Sequence, residues 1–267
     1  VEFDKVEVVH GDTDEVPQGG ITGGSRSVQL AGAALWNASE VLVEQAKKIA
    51  AELLEASEAD LSLDVETGNF HVVGTPSIGV SWEHVADRLG EQNVGPRLLH
   101  AEEVFESEGP TFPFGTHVAV VEVDTETGKV DLKRLVACDD AGVILNPLLA
   151  DGQVHGGLAQ GAAQALLEEF RYDEDGNPLT GNLGDYAVIS AAELPMFERV
   201  VLETPTHINP LGAKGIGESG TVGATPAIQN AVVDALSHLG IRHLDMPMTP
   251  EKVWRSIKAA AVSLPGR

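Results

Sequence analysis

Cysteine is nearly absent: Cys138 is the single one in 267 residues. No internal disulfide can form, and no Cys/His cluster has the spacing of a structural zinc site, so an oxidising destination is disfavoured and an intracellular, cytoplasmic chain is expected. Basic residues are also scarce, 17 against 41 acidic ones, for a formal charge of −24. That balance excludes sequence-independent attraction to nucleic acid phosphate or anionic lipid. No apolar run approaches the ~18 residues of a membrane span, and residues 1–4 do not begin a basic-then-apolar signal peptide. What is plentiful is glycine, 29 residues with 14 prolines, in no collagen-like or low-complexity period. The chain is long enough for one large domain or two modest lobes. Its acidic excess, spread along the whole length, matches a salt-adapted, halophilic surface as well as an ordinary acidic one.

The hydrophobic pattern gives the organisation. Val6-Glu7-Val8-Val9 has strand composition and runs into the turn Gly11-Asp12-Thr13-Asp14. A glycine-rich stretch over 19–27 precedes a long amphipathic helix over 28–56, with Ser25 or Ser27 as its cap. Segments 61–65 and 70–73 read as a hairpin, with a short helix over 81–89. Residues 90–115 form the candidate lobe boundary, dividing an N-terminal lobe, 1–110, from a C-terminal lobe, 111–267. Segments 117–123 and 129–138 flank Asp124-Thr125-Glu126-Thr127-Gly128, the strongest hairpin signal. A helix over 152–169 carries small residues at Gly156, Gly157, Gly161 and Ala165, which points to close approach by a neighbouring backbone or ligand. Two helices, 226–239 and 250–261, close the chain, each with proline in its first turn. The fold class expected is α+β: two lobes with mixed sheets and packing helices.

Three constellations carry chemistry. Residues 212–220, Gly-Ala-Lys-Gly-Ile-Gly-Glu-Ser-Gly, set Lys214 and Glu218 among four glycines. A glutamate on such a loop suits a general base, and partial desolvation would raise its pKa; a glycine-rich turn with a surface Lys and Glu is the other reading. Gly23-Gly24-Ser25-Arg26-Ser27 brings amides, hydroxyls and a guanidinium to a helix start, which suits a phosphate, although it is neither a G-x-G-x-x-G fingerprint nor a P-loop. A plain capped helix is the alternative. Cys138-Asp139-Asp140-Ala141-Gly142 ends a strand in two acids. Neighbours on a strand face opposite ways, so Asp139 and Asp140 do not act as a hydrolase pair. Farther on, Gln153 and Gln160 stand two helical turns apart and present amides along one face, or are simply solvated; His155 reads as a packed histidine.

These segments, in order along the chain, resemble one family. Gly11-Asp12-Thr13-Asp14 with 22–27, Asp140-Ala141-Gly142 through Asn146-Pro147 to 152–157, and Asn209-Pro210-Leu211 through 212–220 match the molybdenum-binding large subunits of the xanthine dehydrogenase and aldehyde oxidase family, particularly the aerobic carbon monoxide dehydrogenase branch. The resemblance implies a molybdopterin cofactor, as its cytosine dinucleotide, carrying molybdenum, with no protein ligand to the metal. It implies that Gly24, Ser25, Arg26 and Ser27 cradle the dinucleotide and phosphate, and that Cys138, Asp139, Asp140 and Gly142 form a second binding strand. Gln153 or Gln160 is then an amide partner, Gly215 and Gly217 belong to the cofactor loop, and Lys214 positions it. Glu218 is implied as general base on a metal-bound hydroxyl.

The family's earlier regions are missing, including a glutamine-rich cofactor loop and the loop that distinguishes carbon monoxide enzymes. The chain therefore reads as a C-terminal portion, a split subunit or a piece of a longer polypeptide. It carries no iron-sulfur cysteine pattern and no flavin fingerprint. Iron-sulfur and FAD subunits and the missing N-terminal molybdenum-binding portion are the partners implied, in a dimer of heteromers, with copper added if carbon monoxide is the substrate. The alternative function is a non-catalytic cofactor-binding or assembly module of the same fold.

Overall fold

The computed structural model describes residues 3–16, 18–91 and 99–263; residues 92–98 of the expected boundary stretch lie outside these. Two units are distinguished, residues 1–23 with 30–107 and residues 24–29 with 108–267.

In the first unit, α1 runs Ala33–Leu54. The expected helix over 28–56 is thus not α-helical throughout, since Val28–Gly32 is a π-helical turn. Neither Ser25 nor Ser27 is the N-cap of α1; Gly32 holds that position and makes no side-chain cap bond. The helix stops where Glu55 turns left-handed and its amide reaches back to the carbonyls of Ala51 and Glu52. Its buried face is made of alanines, Ala33, Ala46, Ala50 and Ala51, while Leu35 and Trp36 are exposed.

The hairpin β1 (Leu61–Asp64) and β2 (Asn69–Val72) pairs Leu61 with Val72 and Asp64 with Asn69. Its turn is organised by the Asp64 carboxylate, which accepts the Glu66 and Thr67 amides. A further strand, β3 (Thr75–Ser81), adds antiparallel to β2, and α2 (Trp82–Glu91) follows. Phe70 is the centre of this unit's core, with Leu61, Val85 and the α1 alanines around it and Trp82 edge-on at 5.0 Å. The expected strand at Val6-Glu7-Val8-Val9 is irregular and exposed; among the described residues no strand pairs with it.

The second unit is built on a mixed sheet. β4 (Phe114–Val123) and β5 (Val130–Asp140) form a long antiparallel hairpin. Asp124 holds its turn by accepting the amides of Glu126 and Thr127. Those bonds keep its carboxyl below the ordinary carboxylate range. β6 (Glu198–Leu202) lies parallel to β5 on its other side, and Arg134 grips Glu198 with two 2.7 Å bonds across the pair. With helices on a sheet of both pairings, the α+β class is what the chain adopts.

α3 spans Pro147–Leu166, so it starts before residue 152. The Asn146 side chain caps it by accepting the Leu149 amide, and Pro147 occupies the first turn, where no N–H is needed. α4 spans Ser219–Ala235, with Pro226 inside it instead of at its start. α5 spans Pro250–Ser263. Two of the small residues of α3 meet α4: a methyl on Gly157 would stand 3.0 Å from Gly220 Cα, and one on Gly161 would stand 2.8 Å from Ala224 Cβ. Leu135, Leu158, Ile228, Val232 and Met248 fill the core between sheet and helices. Among the described residues no helix is long and apolar enough to cross a membrane.

Candidate functional site

The site forms where β5 ends and α4 begins, and every residue of it belongs to the second unit. The segment from Asn209 to Glu218 is glycine-rich but firmly held. Asn209, buried, donates to the Ala213 carbonyl and accepts the amides of Leu211 and Ala213. Gly142 pairs with Ala213 at φ 67°, and a methyl there would overlap the Gly212 carbonyl. Lys214 Nζ reaches Asp140 Oδ1 at 3.0 Å and lies 4.7 Å from the centre of the Phe114 ring.

Asp140 is fully buried. Burial pushes its carboxyl up, but hydrogen bonds from Thr204, the Gly142 amide and Lys214 outweigh it and hold the pKa at about 2. Lys214 is therefore an anchor between the loop and the end of β5.

Four residues on, Glu218 is the N-cap residue of α4, yet its side chain does not cap the helix. Its Oε2 instead accepts the hydroxyl of Ser25 at 2.7 Å. Ser25 sits at φ 53°, a left-handed conformation costly for a residue with a Cβ. Two contacts hold it there: Gln29 Nε2 donates to its carbonyl at 3.0 Å, and Gly215 lies so close that a methyl would stand 2.7 Å from Ser25 Cβ. Thr111 in turn donates to Gln29 Oε1.

These groups face a cavity of about 320 Å³ whose walls include Ser25, Gln29, Phe114, His117, Asp139 and Glu218. That size is within the usual range of small-molecule sites. Glu218 itself is exposed, so the described residues do not supply the desolvation expected for a general base.

Of the residues singled out from the sequence, Gly24, Ser25, Asp139, Gly215 and Glu218 line the cavity. Gly217 lies beside it, 3.2 Å in Cβ terms from Ser25 Oγ and 3.3 Å from Gln153 Oε1. Gln160 Oε1 accepts the Thr221 hydroxyl at 3.3 Å, so both glutamines turn toward the residues at and after the 212–220 loop. Arg26 and Ser27 are exposed and do not line the cavity. Cys138 is half-buried on the β5 face opposite Asp139, and Asp140 and Gly142 hold the loop from behind. His155 packs edge-on to Phe197 at 5.9 Å.

Sequence reasoning missed Gln29, Thr111, Phe114, His117 and Ser219, all of which line the cavity. His117 and Asp139 form a nearly sealed pair, Nε2 to Oδ1 3.1 Å, with side chains 2% and 3% exposed. Among the described residues no group of three or more His, Cys, Asp or Glu is placed to hold a metal ion.

Comparison with known proteins gives the family. The carbon monoxide dehydrogenase large chain of Hydrogenophaga pseudoflava is 39% identical over 97% of the chain, which covers 32% of that protein. A crystal structure of a Cu,Mo-CO dehydrogenase in its carbon monoxide-reduced state matches with a TM-score of 0.84 and 36% identity, over 94% of this chain and 32% of that one. Quinoline 2-oxidoreductase from Pseudomonas putida 86 matches with a TM-score of 0.79 and 33% identity, over 89% and 30%. The chain thus spans about a third of the length of these relatives. The family model for the molybdopterin cofactor-binding domain matches residues 1–195, and the chain belongs to that family.

Proposed function

We propose that this chain is the C-terminal molybdopterin-binding part of a molybdenum hydroxylase-type oxidoreductase. Glu218 is its general base, serving oxidation of a small carbon centre, carbon monoxide, an aldehyde or a heterocycle, with oxygen derived from water. The observation that carries this reading is the Ser25–Glu218 contact. A hydroxyl that donates to Oε2 at 2.7 Å anchors that oxygen and leaves Oε1 to accept a proton. A strained serine held by two neighbours for that one bond is the kind of outlier that functional sites keep.

The donor set fits the cofactor. A flat anionic heterocycle needs hydroxyls, amides and bare backbone; the cavity offers Ser25, Gln29, Thr111 and glycines 24 and 215, and Ser219 Oγ is buried without a hydrogen-bond partner among the described residues. Gly24, Ser25, Arg26 and Ser27 would hold the dinucleotide and its phosphate, with Gln153 or Gln160 as an amide partner; Asp139 would line the site and Asp140 and Lys214 would fix its loop. When bound, the cofactor supplies a Lewis-acidic metal and a two-electron acceptor. The cytosine dinucleotide form, iron-sulfur and FAD subunits, an N-terminal molybdenum-binding portion, assembly as a dimer of heteromers, and a cytoplasmic location complete the reading. Exposed apolar side chains such as Leu148, Leu183 and Met196 support further protein covering this unit.

The test is Glu218→Gln in the complete enzyme complex, with molybdenum and pterin assayed beside turnover. Loss of a general base lowers kcat on the order of 10²–10⁴-fold, with cofactor content unchanged. Wild-type turnover in a fully loaded variant would leave only the binding or assembly role. Copper analysis of the same complex separates a carbon monoxide substrate from the others.

A further inference from the structure

The mechanism above leaves His117 and Asp139 unused, although both line the cavity and both are almost completely buried. Antiparallel pairing sets His117 opposite Ala137, so Asp139 is its diagonal neighbour on the same face of the sheet. Asp139 cannot turn away, because the β4 backbone presses on it: a methyl on Gly115 would stand 2.5 Å from Oδ1. The other face of the imidazole backs directly onto α4. A methyl on Gly223 would overlap the ring, with Cγ 2.7 Å away. On a different side α4 is equally tight, since a methyl on Gly220 would stand 2.7 Å from the Val154 carbonyl of α3. The first turns of α4 are therefore clamped between α3 and one histidine ring, and the residue at the head of that helix is Glu218.

The pair is poorly built for stability. His117 Nδ1 and Asp139 Oδ2 are both buried without a hydrogen-bond partner among the described residues. Two apolar side chains of similar volume would satisfy the same space at less cost. A ring that can neither rotate nor slip is what the polar pair provides instead.

We infer that His117, locked by Asp139, is a positioning residue for Glu218: its ring is the rest against which the first turns of α4 stand, and so it sets where the Glu218 carboxylate meets Ser25 and the cavity. This rests on the general-base reading of Glu218 for its effect on turnover, but not for its effect on geometry. A displacement of ~1 Å at a reacting group costs on the order of a hundredfold in rate.

The experiment uses the complete enzyme complex carrying Gly223→Ala, His117→Gln, or both. Gly223→Ala lifts α4 from the ring. The expected result is a kcat about a hundredfold lower, with KM, molybdenum and pterin content unchanged and the Ser25–Glu218 contact opened in the variant's crystal structure. His117→Gln in that background lacks the Nδ1–Cε1 side of the ring that meets Gly223, while its amide still reaches Asp139 from the Nε2 position, so it restores both the contact and most of the rate. An intact Ser25–Glu218 contact in Gly223→Ala, or unchanged kcat at full cofactor content, overturns the inference. So does loss of molybdenum in parallel with turnover in both single variants, which would make the pair a folding element. Should Gly223→Ala fail to assemble, His117→Gln alone decides: it withdraws the rest while keeping the bond to Asp139, and undiminished kcat overturns the inference. If Glu218→Gln turns over normally, the base assignment falls, while the position of Glu218 in the Gly223→Ala structure still tests the clamp.

Discussion

Lys214 and Asp140 pose the question of what a buried charge is for at the back of a site. Their contact is 3.0 Å with side chains 9% and 0% exposed, and the low pKa of Asp140, about 2 against the ordinary 3.8, means that the fold favours the ionised form. By linkage, a carboxyl with a depressed folded-state pKa contributes stability that is complete above its unfolded pKa, near pH 4, and is lost as pH falls through about 2. Acid titration of unfolding stability should show that loss, and Asp140→Asn should remove this group's share of it. Lys214→Met leaves the carboxylate buried without its cation, a change that typically costs about 3–5 kcal/mol. Urea unfolding at neutral pH measures it; a loss under ~1 kcal/mol, the range of exposed pairs, would show that Lys214 is not the anchor of the 209–218 segment.

Helix α3 carries glycines of two kinds, and α4 tells them apart. Gly157 faces α4 at 3.0 Å in Cβ terms, while a methyl on Gly156 meets nothing within 4 Å. Gly156→Ala should accordingly stabilise the helix by about 0.5–1 kcal/mol. Gly220→Ala should destabilise by about 1–3 kcal/mol, because it overpacks the crossing against Val154 and Leu158. Thermal unfolding of the two variants, read side by side, checks both signs. The sequence pattern showed that these small residues meant close approach, but not which of them, because the face that packs is decided by where α4 crosses, which the small-residue run does not reveal. The α4 start was hidden in the same way: Pro226 looks like a first-turn proline, and the helix simply accepts it in its interior. The hairpin of β4 and β5 was legible from its Asp124 turn, yet its face assignment was not. Counting back from the turn sets His117 opposite Val136, on the face of Cys138 and Asp140. A bulge at Val120/Val121 shifts the register by one residue and brings His117 to Asp139 instead. Glu218, Ser25 and the order of the three loops could be read from glycine spacing and resemblance, whereas the bond between them joins residues 193 apart and needed the fold.

For the whole molecule the dominant long-range force is self-repulsion, since 41 acidic residues face 17 basic ones. Added salt acts on this in two opposing ways. It weakens exposed pairs such as Lys129–Asp131 and Arg255–Glu251, but such pairs are worth only about 0–1 kcal/mol each. It also screens the unbalanced acids, shrinking the Debye length from ~10 Å at 0.1 M to ~3 Å at 1 M. The buried Asp140–Lys214 pair is reached by neither effect. With so large an excess of one sign the screening term wins, and the melting temperature of the chain should rise with potassium chloride. An ordinary acidic surface gains most of its stability by a few tenths molar, where the Debye length already falls below typical charge spacings. A salt-adapted one goes on gaining past 1 M. Calorimetric melting curves across that range separate the two, and a melting temperature that falls from the first addition of salt would mean that specific ion pairs, not net charge, govern this surface.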